Sequence, residues 1–323
     1  MKAVVQHKDQ LSWDEVSDLY PKRGEIRIAV HASAVNRADL SQRAGGYPPP
    51  PGASSILGLE CSGVVDKVGE GVTSIDLGDR VCALLSGGGY AENVTVPAGQ
   101  VLRIPGNIGY DAAAALPEVF ATAYLNLYME ARLQPGETVL IHAGGSGVGT
   151  SAIQLCKSFQ NPCFVTAGSR EKVLRCQELG ASSGCVRSDE DFVGAVTEWT
   201  QSKGVDVILD PVGASYFEKN LKVLATDGRL VVIGLMGGGD TEIALGRLMV
   251  KRQRVIGSTL RARPIAAKAQ VMDELKKRVW PLIESGEIQP IIDRILPIEQ
   301  VDEAHKLIAS NSTFGKVVLR VRS

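Results

Sequence analysis

The stretch 138–149, which reads Thr-Val-Leu-Ile-His-Ala-Gly-Gly-Ser-Gly-Val-Gly, constrains this chain more than any other. Val139, Leu140 and Ile141 form a short apolar run without alternation, the pattern of a strand covered on both faces. A glycine-rich turn follows, and from Val148 to Phe159 the residues Val148, Ala152, Ile153, Leu155 and Cys156 recur at helical spacing. Strand, tight turn and helix together form the opening of a dinucleotide-binding βαβ unit. Glycines there let backbone amides approach a pyrophosphate at the positive end of a helix. Gly144, Gly147 and Gly149 stand in the turn, with Ser146 where the middle glycine of the fingerprint would be. Tight strand-to-helix turns also use glycine for purely structural reasons, so the surrounding chain decides.

Around this stretch, apolar strand candidates at 139–143, 163–167, 184–187, 205–209, 229–233 and 254–259 alternate with helical segments. That alternation predicts a six-stranded, doubly wound parallel sheet, an α/β Rossmann architecture. Before it the texture is different. Ile26, Ile28 and Val30 alternate with Arg27, Ala29 and His31, and 61–68, 80–85 and 90–96 read as further strands separated by glycine turns. These predict a small antiparallel barrel. A helical segment at 111–131, interrupted by Pro117, bridges the two textures, and after a helix at 266–284 the runs 291–296 and 316–321 read as strands again. The expected organisation is therefore one domain from 1–117 and 263–323, with a nucleotide-binding domain, 118–262, inserted into it. A chain of 323 residues is long enough for two such cores.

Composition narrows the partners. With 35 Lys and Arg against 36 Asp and Glu, the net charge of −1 gives no general attraction to nucleic acid or to an acidic membrane. The start, Met1-Lys2-Ala3-Val4-Val5, reads as a first strand rather than an export signal, and the six scattered cysteines read as reduced, buried hydrophobes. The expectation is a cytoplasmic protein.

The end of the second strand reports the cofactor. An acid there would accept hydrogen bonds from both ribose hydroxyls of NAD. The chain has Ala167-Gly168-Ser169-Arg170-Glu171-Lys172 instead. A hydroxyl and two cations suit the 2′-phosphate of NADPH through charge-assisted contacts, and Arg187 after the third strand can join them. Cations at a helix start are unfavourable unless an anion offsets them. NADPH is the expected cofactor.

Five stretches now identify the chain as similar to a known family: 36–40 (Asn-Arg-Ala-Asp-Leu), 45–52 (Gly-Gly-Tyr-Pro-Pro-Pro-Pro-Gly), 57–60 (Leu-Gly-Leu-Glu), 142–150 and 234–240 (Gly-Leu-Met-Gly-Gly-Gly-Asp). They resemble the zinc-free quinone oxidoreductases, the zeta-crystallin relatives, of the medium-chain dehydrogenase/reductase superfamily. The resemblance implies a GroES-like catalytic domain beside a Rossmann domain. Where zinc alcohol dehydrogenases of that superfamily carry a histidine before the matching glutamate, this chain has Leu59 before Glu60, and its only histidines are 7, 31, 142 and 305. A metal-free site is expected. That suits a quinone, which gains aromaticity and spreads its charge on reduction.

The resemblance also implies residue roles. Tyr47 would lie near the nicotinamide, its phenol bonding the quinone oxygen or the cofactor, or else packing on the proline loop. Asn36 would hold the nicotinamide side, or serve as an ordinary helix N-cap. The Ser146 hydroxyl would reach the pyrophosphate or the substrate, or cap its helix. Thr122 would face the nicotinamide, unless it bonds back to its own helical turn. Gly144, Gly147, Val148, Gly149, Gly168, Gly213, Gly234, Leu235 and Leu260 would line the nucleotide crevice at strand ends. Arg187 stands where relatives carry tyrosine, so its part in phosphate binding rests on charge alone. The expected activity is hydride transfer from NADPH to a quinone, ortho-quinones favoured. The rival readings are reduction of an activated carbon–carbon double bond, and a weakly catalytic NADPH-binding protein with a structural or regulatory task. Such proteins pair through their nucleotide domains, and the apolar strand 254–260 predicts a homodimer.

Overall fold

The computed structural model describes residues 1–8, 10–189 and 191–322. The chain divides into two compact units, Met1–Ala121 with Leu260–Ser323, and Thr122–Thr259.

In the second unit the apolar runs become a six-stranded sheet. Its order across the sheet is Ser183–Val186, Cys163–Ala167, Val139–Ile141, Val205–Asp210, Leu224–Val232 and Arg254–Gly257. Every neighbouring pair is parallel. Parallel neighbours require crossovers, and the helices Gly147–Ser158, Arg170–Leu179, Phe192–Trp199 and Ala214–Val223 supply them. These helices cover the sheet, which is why Val139, Leu140, Ile141 and the whole of Cys163–Ala167 are buried. The strand order reverses between Val139–Ile141 and Val205–Asp210, the switch point at which doubly wound sheets bind ligands. The first strand stops at Ile141, short of the expected 143, because Ala143 takes a left-handed φ of 54° and starts the turn.

The first unit corrects one expectation. The strands Ile292–Pro297, Lys316–Arg320, Glu25–Ala34, Glu60–Val68, Arg80–Leu84 and Val101–Arg103 pair in that order, and Asn93–Pro97 pairs with Glu25–Ala34. The sheet is mixed: Ile292–Pro297 runs parallel to Lys316–Arg320, because the helix Val301–Ala309 carries the chain back between them. Among the described residues the two end strands do not pair, so the ring of an antiparallel barrel is not closed. Its core is the alternating face read from the sequence, with Ile26, Ile28 and Val30 packed on Cys61, Val65, Val81 and Ala83. The expected helix 266–284 is two helices, Ile265–Arg278 and Trp280–Glu284. Pro281 has no N–H to continue the first. The bridge is likewise segmented into Tyr110–Ala113, Pro117–Tyr124 and the π-helix Leu125–Glu130.

All six cysteines are buried and none is in a disulfide. His142, between the first strand and the glycine turn, is buried as well. The Asn220 amide donates to Asp210 Oδ2 at 3.1 Å, so Asn220 Oδ1 is the acceptor for the His142 Nε2–H at 2.7 Å. Nδ1 then accepts from the Thr166 hydroxyl at 2.9 Å. Burial holds the imidazole pKa down at about 4, so the ring is neutral at pH 7. A depressed base contributes stability that is present above its unfolded pKa of about 6.5 and lost as pH falls through about 4. In urea unfolding, the stability gap between wild type and His142→Gln should narrow by roughly 1.4 kcal/mol per pH unit over that window. A gap constant from pH 7.5 to 4.5 would show that His142 is not held neutral.

Candidate active site

The glycine turn is built by backbone lying against backbone. A Cβ on Gly149 would stand 2.5 Å from the Ala143 carbonyl oxygen and 2.6 Å from that of Gly144. One on Gly144 would stand 2.9 Å from Val165 Cβ, and the Gly144 N–H donates to the Thr166 carbonyl at 2.9 Å. No side chain fits, so the helix Gly147–Ser158 begins directly on the turn. Ser146 is its N-cap: the hydroxyl accepts from the Gly149 N–H at 3.0 Å. Of the roles open to Ser146, capping is the one the geometry displays. The cap leaves the Gly147 and Val148 amides, the first two of a twelve-residue helix, without intrahelical partners at its positive end. An absent Cβ and two outward amides fit a dinucleotide pyrophosphate.

At the end of the second strand, Ser169 caps the next helix, its hydroxyl accepting from the Lys172 N–H at 3.3 Å. Arg170 occupies the first helical position, and Gly168 and Arg170 are exposed. The Arg187 N–H donates to the Ala167 carbonyl at 2.9 Å, which sets its main chain beside the strand end, with the residue itself exposed. Ser169, Arg170, Lys172 and Arg187 therefore surround one strand terminus. Among them stands Glu171, which reaches Arg175 in a loose helical pair at 3.9 Å.

The fourth strand ends in Asp210, whose carboxylate accepts from the Val212 N–H at 2.6 Å and the Gly213 N–H at 3.2 Å. Gly213 is thus committed by its amide to Asp210, and its φ of 82° together with a 2.8 Å clash of any Cβ with the Gly238 oxygen explains the residue. Gly234 packs likewise, a Cβ there meeting the Pro211 oxygen at 2.8 Å, while Leu235 beside it is exposed. Thr122 opens this unit, its carbonyl accepting the Asn126 side-chain amide at 2.7 Å. Leu260 belongs to the other unit, where it is buried and accepts from the Arg263 N–H.

In the first unit Asn36 is the N-cap of the helix Arg37–Arg43, but its side chain is engaged elsewhere. Nδ2 donates to Glu60 Oε1 at 2.9 Å, and Oδ1 accepts from Lys316 Nζ at 2.7 Å. Lys316 Nζ also donates to the Val35 carbonyl and lies 2.7 Å from Glu60 Oε1, so all three ammonium protons are used. Glu60 Oε2 accepts the Glu118 N–H at 3.0 Å. Asp39 accepts from the Asn36 and Gly58 amides and the Tyr90 hydroxyl, while burial raises its pKa to about 6. This network is buried throughout.

Tyr47 is held from beneath by Arg261. The guanidinium donates to the Tyr47 carbonyl at 3.2 Å, to Gln42 Oε1 at 2.7 Å and to the Ser86 carbonyl at 2.9 Å, and its Cζ lies 5.4 Å from the Tyr47 ring centre. Among the described residues no hydrogen-bond partner is found for the Tyr47 hydroxyl. Burial, and next the Glu118 carboxyl, push that phenol above its ordinary pKa, so it stays protonated near neutrality. Sequence reasoning missed Lys316, Glu118, Arg261 and Lys268. Their partners lie up to 281 residues away, and no local motif announces them.

Two family signatures match: an alcohol dehydrogenase GroES-like domain over 22–106 and a zinc-binding dehydrogenase over 179–319. The quinone oxidoreductase-like protein 2 homolog of Nematostella vectensis is 31% identical over 300 residues, 92% of this chain and 82% of that protein. A 2-haloacrylate reductase of a Burkholderia species is 29% identical, covering 99% and 98%. The Escherichia coli quinone oxidoreductase complexed with NADPH superposes with a TM-score of 0.87 at 28% identity, over 99% of each chain. An NAD-dependent alcohol dehydrogenase superposes at 0.85 and 30% identity, over 99% and 100%.

The second signature raises zinc, and the donor set does not fit it. Leu59 is buried where a histidine would stand, and Asn36 is bound to Lys316 and Glu60. Among the described residues no group of three His, Cys, Asp or Glu side chains is placed to hold a metal ion. What fills this region is the Glu60–Lys316 pair, and it can be tested by stability. Lys316→Met leaves Glu60 buried and unpaired, and should cost about 3–5 kcal/mol in denaturant unfolding. Adding Glu60→Gln to that variant should recover part of the loss, whereas two strictly additive losses would show that the charges are not coupled.

Proposed function

Because this chain belongs to the medium-chain dehydrogenase/reductase superfamily and has quinone oxidoreductase-like relatives, we propose that this oxidoreductase is an NADPH:quinone oxidoreductase working without metal. The observation that carries the reading is the cation set at the second strand end, where Arg170, Lys172 and Arg187 stand around a strand that ends in Ala167 without an acid of its own. A 2′-phosphate offsets cations that otherwise sit unfavourably at a helix start. In this reading Gly147 and Val148 hold the pyrophosphate through their amides, and Ser169 keeps the phosphate-binding turn in shape as its cap. The bound nucleotide supplies a hydride. Tyr47 donates a hydrogen bond from its hydroxyl to the acceptor oxygen, and Arg261 holds the loop that carries it. A flat quinone needs no stronger electrophile, since reduction makes it aromatic. Catalysis is then mostly orientation.

Reduction of an activated carbon–carbon double bond is the second reading, favoured by the likeness to the 2-haloacrylate reductase. The same hydride donor serves both, and a side-by-side assay with naphthoquinones and α,β-unsaturated ketones decides between them. For the first reading, purified protein should oxidise NADPH faster with ortho-quinones than without, and should bind NADPH at least tenfold more tightly than NADH. Arg170→Glu with Lys172→Glu should weaken NADPH about 10- to 100-fold, leaving NADH within about twofold. Equal affinity for both nucleotides in the wild type would remove the cofactor assignment.

A cytoplasmic homodimer paired through the nucleotide-binding units completes the proposal, with no nucleic-acid or membrane partner. No helix among the described residues is long and apolar enough to cross a membrane. Supporting the dimer, Arg254–Gly257 is an edge strand carrying exposed Val255, and Ile243, Leu245, Met249 and Val250, just before it in the chain, are exposed apolar residues. Light scattering should give twice the chain mass of 34.3 kDa, and Val255→Lys should shift it toward one. A wild-type mass of one chain would overturn the pairing.

A further inference from the structure

The strand order of the second unit reverses between Val139–Ile141 and Val205–Asp210, so the loops after these two strands border the place where doubly wound sheets bind ligands. A series of buried side chains that the hydride chemistry does not use links those loops. Asp210, the last residue of its strand, is an acceptor only when ionised. Its Oδ1 receives the Val212 N–H at 2.6 Å, both oxygens share the Gly213 N–H at 3.2 Å, and Oδ2 receives the Asn220 amide at 3.1 Å. The Asn220 oxygen takes the His142 Nε2–H at 2.7 Å, and His142 Nδ1 takes the Thr166 hydroxyl proton at 2.9 Å. Thr166 closes the belt, because its carbonyl accepts the Gly144 N–H of the glycine turn at 2.9 Å. Asp210, Asn220, His142 and Thr166 are each at most 2% exposed.

The direction of this belt is set at one end. An ionised carboxylate has no proton to give, so Asn220 presents its NH2 to Asp210 and its oxygen to His142. That leaves His142 one tautomer, with the proton on Nε2, and makes Thr166 the donor to Nδ1. Burial raises the Asp210 pKa to about 6 and holds that of His142 at about 4, so at pH 8 Asp210 is charged and His142 neutral. The loop gripped by Asp210 is also fastened to the one after the fifth strand. The Gly237 N–H donates to the Val212 carbonyl at 2.7 Å, and the Ala214 N–H to that of Gly238 at 3.0 Å. The loops after the first, fourth and fifth strands thus share one hydrogen-bonded support.

We propose that Asp210 is a positioning residue for the nucleotide, its carboxylate fixing the loop 211–213 and, through Asn220, His142 and Thr166, the glycine turn on the other side of the switch point. The role rests on the nucleotide-binding reading above and needs no contact between Asp210 and the bound molecule. Loops already held in their binding arrangement have less ordering to undergo when a ligand arrives, and affinity rises accordingly. The belt supports loops that both nicotinamide nucleotides use. It therefore acts on NADPH and NADH alike, unlike the cations at the second strand end.

The test uses the full-length protein at pH 8, with Kd for NADPH and NADH from calorimetric titration and the His142 tautomer from imidazole nitrogen NMR. Wild type should carry the proton on Nε2. D210N keeps the shape but places an NH2 where Asn220 already donates, so the Asn220 amide turns and the His142 proton moves to Nδ1. The grip on the Val212 and Gly213 amides becomes a neutral one, and both Kd values should rise about 5- to 10-fold, in the same proportion. The double variant D210N/N220D moves the carboxylate one link along the belt. It should return the proton to Nε2 and recover part of both affinities. T166V, isosteric and at the far end, should raise both Kd values about threefold, which keeps the test open if D210N does not fold. Both Kd values within about 1.5-fold of wild type in D210N or T166V, or a loss confined to NADPH, overturns the proposal alone. A wild type that binds neither nucleotide removes the nucleotide reading, and the positioning role with it.

Discussion

A lysine ammonium and a glutamate carboxylate, both almost without solvent, organise the first unit. Taking two charges out of water is costly, and their attraction offsets the cost only when the remaining protons and lone pairs also find partners. Here they do: Lys316 uses all three protons, and the Glu60 oxygens receive Lys316, the Asn36 amide and the Glu118 N–H. The pair joins the last strand of the chain to a central one and pins the starts of two helices, at Asn36 and at Glu118. It also sets the electrostatics nearby. Burial, and next the Glu60 carboxylate, raise the pKa of the neighbouring carboxyl, Glu118, to about 8.

The second unit obeys a steric constraint instead. Gly149 lies so close to the Ala143 and Gly144 carbonyls that any side chain would displace the helix. The same logic recurs at Gly213 and Gly234, whose neighbours are the backbones of the facing loops. Glycine there serves first to let the loops at the sheet's switch point pack on one another. Amides without intrahelical partners follow from that packing, because a helix starting against a turn leaves its first N–H groups unbonded within the helix. Asp210 holds the neighbouring loop in place from below, and its own link through Asn220 to His142 ties the turn to the sheet.

Together these two constraints give one unit with a glycine turn and a basic strand end, and one with a buried polar network and Arg261 under Tyr47. Only the first is written as a motif. The strand–turn–helix grammar, the strand count and the absence of an acid after the second strand were all readable, since each depends on neighbours within a few residues. The cap role of Ser146 and the commitment of the Gly213 amide were not, because a hydroxyl or an N–H has several local options and packing selects one. The parallel pairing of Ile292–Pro297 with Lys316–Arg320, in a sheet expected to be antiparallel throughout, was not readable for a related reason. Strand periodicity specifies faces, while the direction of pairing was decided by the helix between 297 and 316.

The amino-acid sequence by itself determined the two textures, the doubly wound sheet, the glycine turn and the basic strand end, all local patterns of hydrophobicity, backbone freedom and charge. Only the tertiary structure decided that Lys316 meets Glu60, that Arg261 underlies Tyr47 and that Glu118 Oε2 is buried without a hydrogen-bond partner among the described residues. Those facts depend on desolvation and on contacts between residues far apart in the chain, and a carboxyl's chemistry is not defined until its distant neighbours are in place.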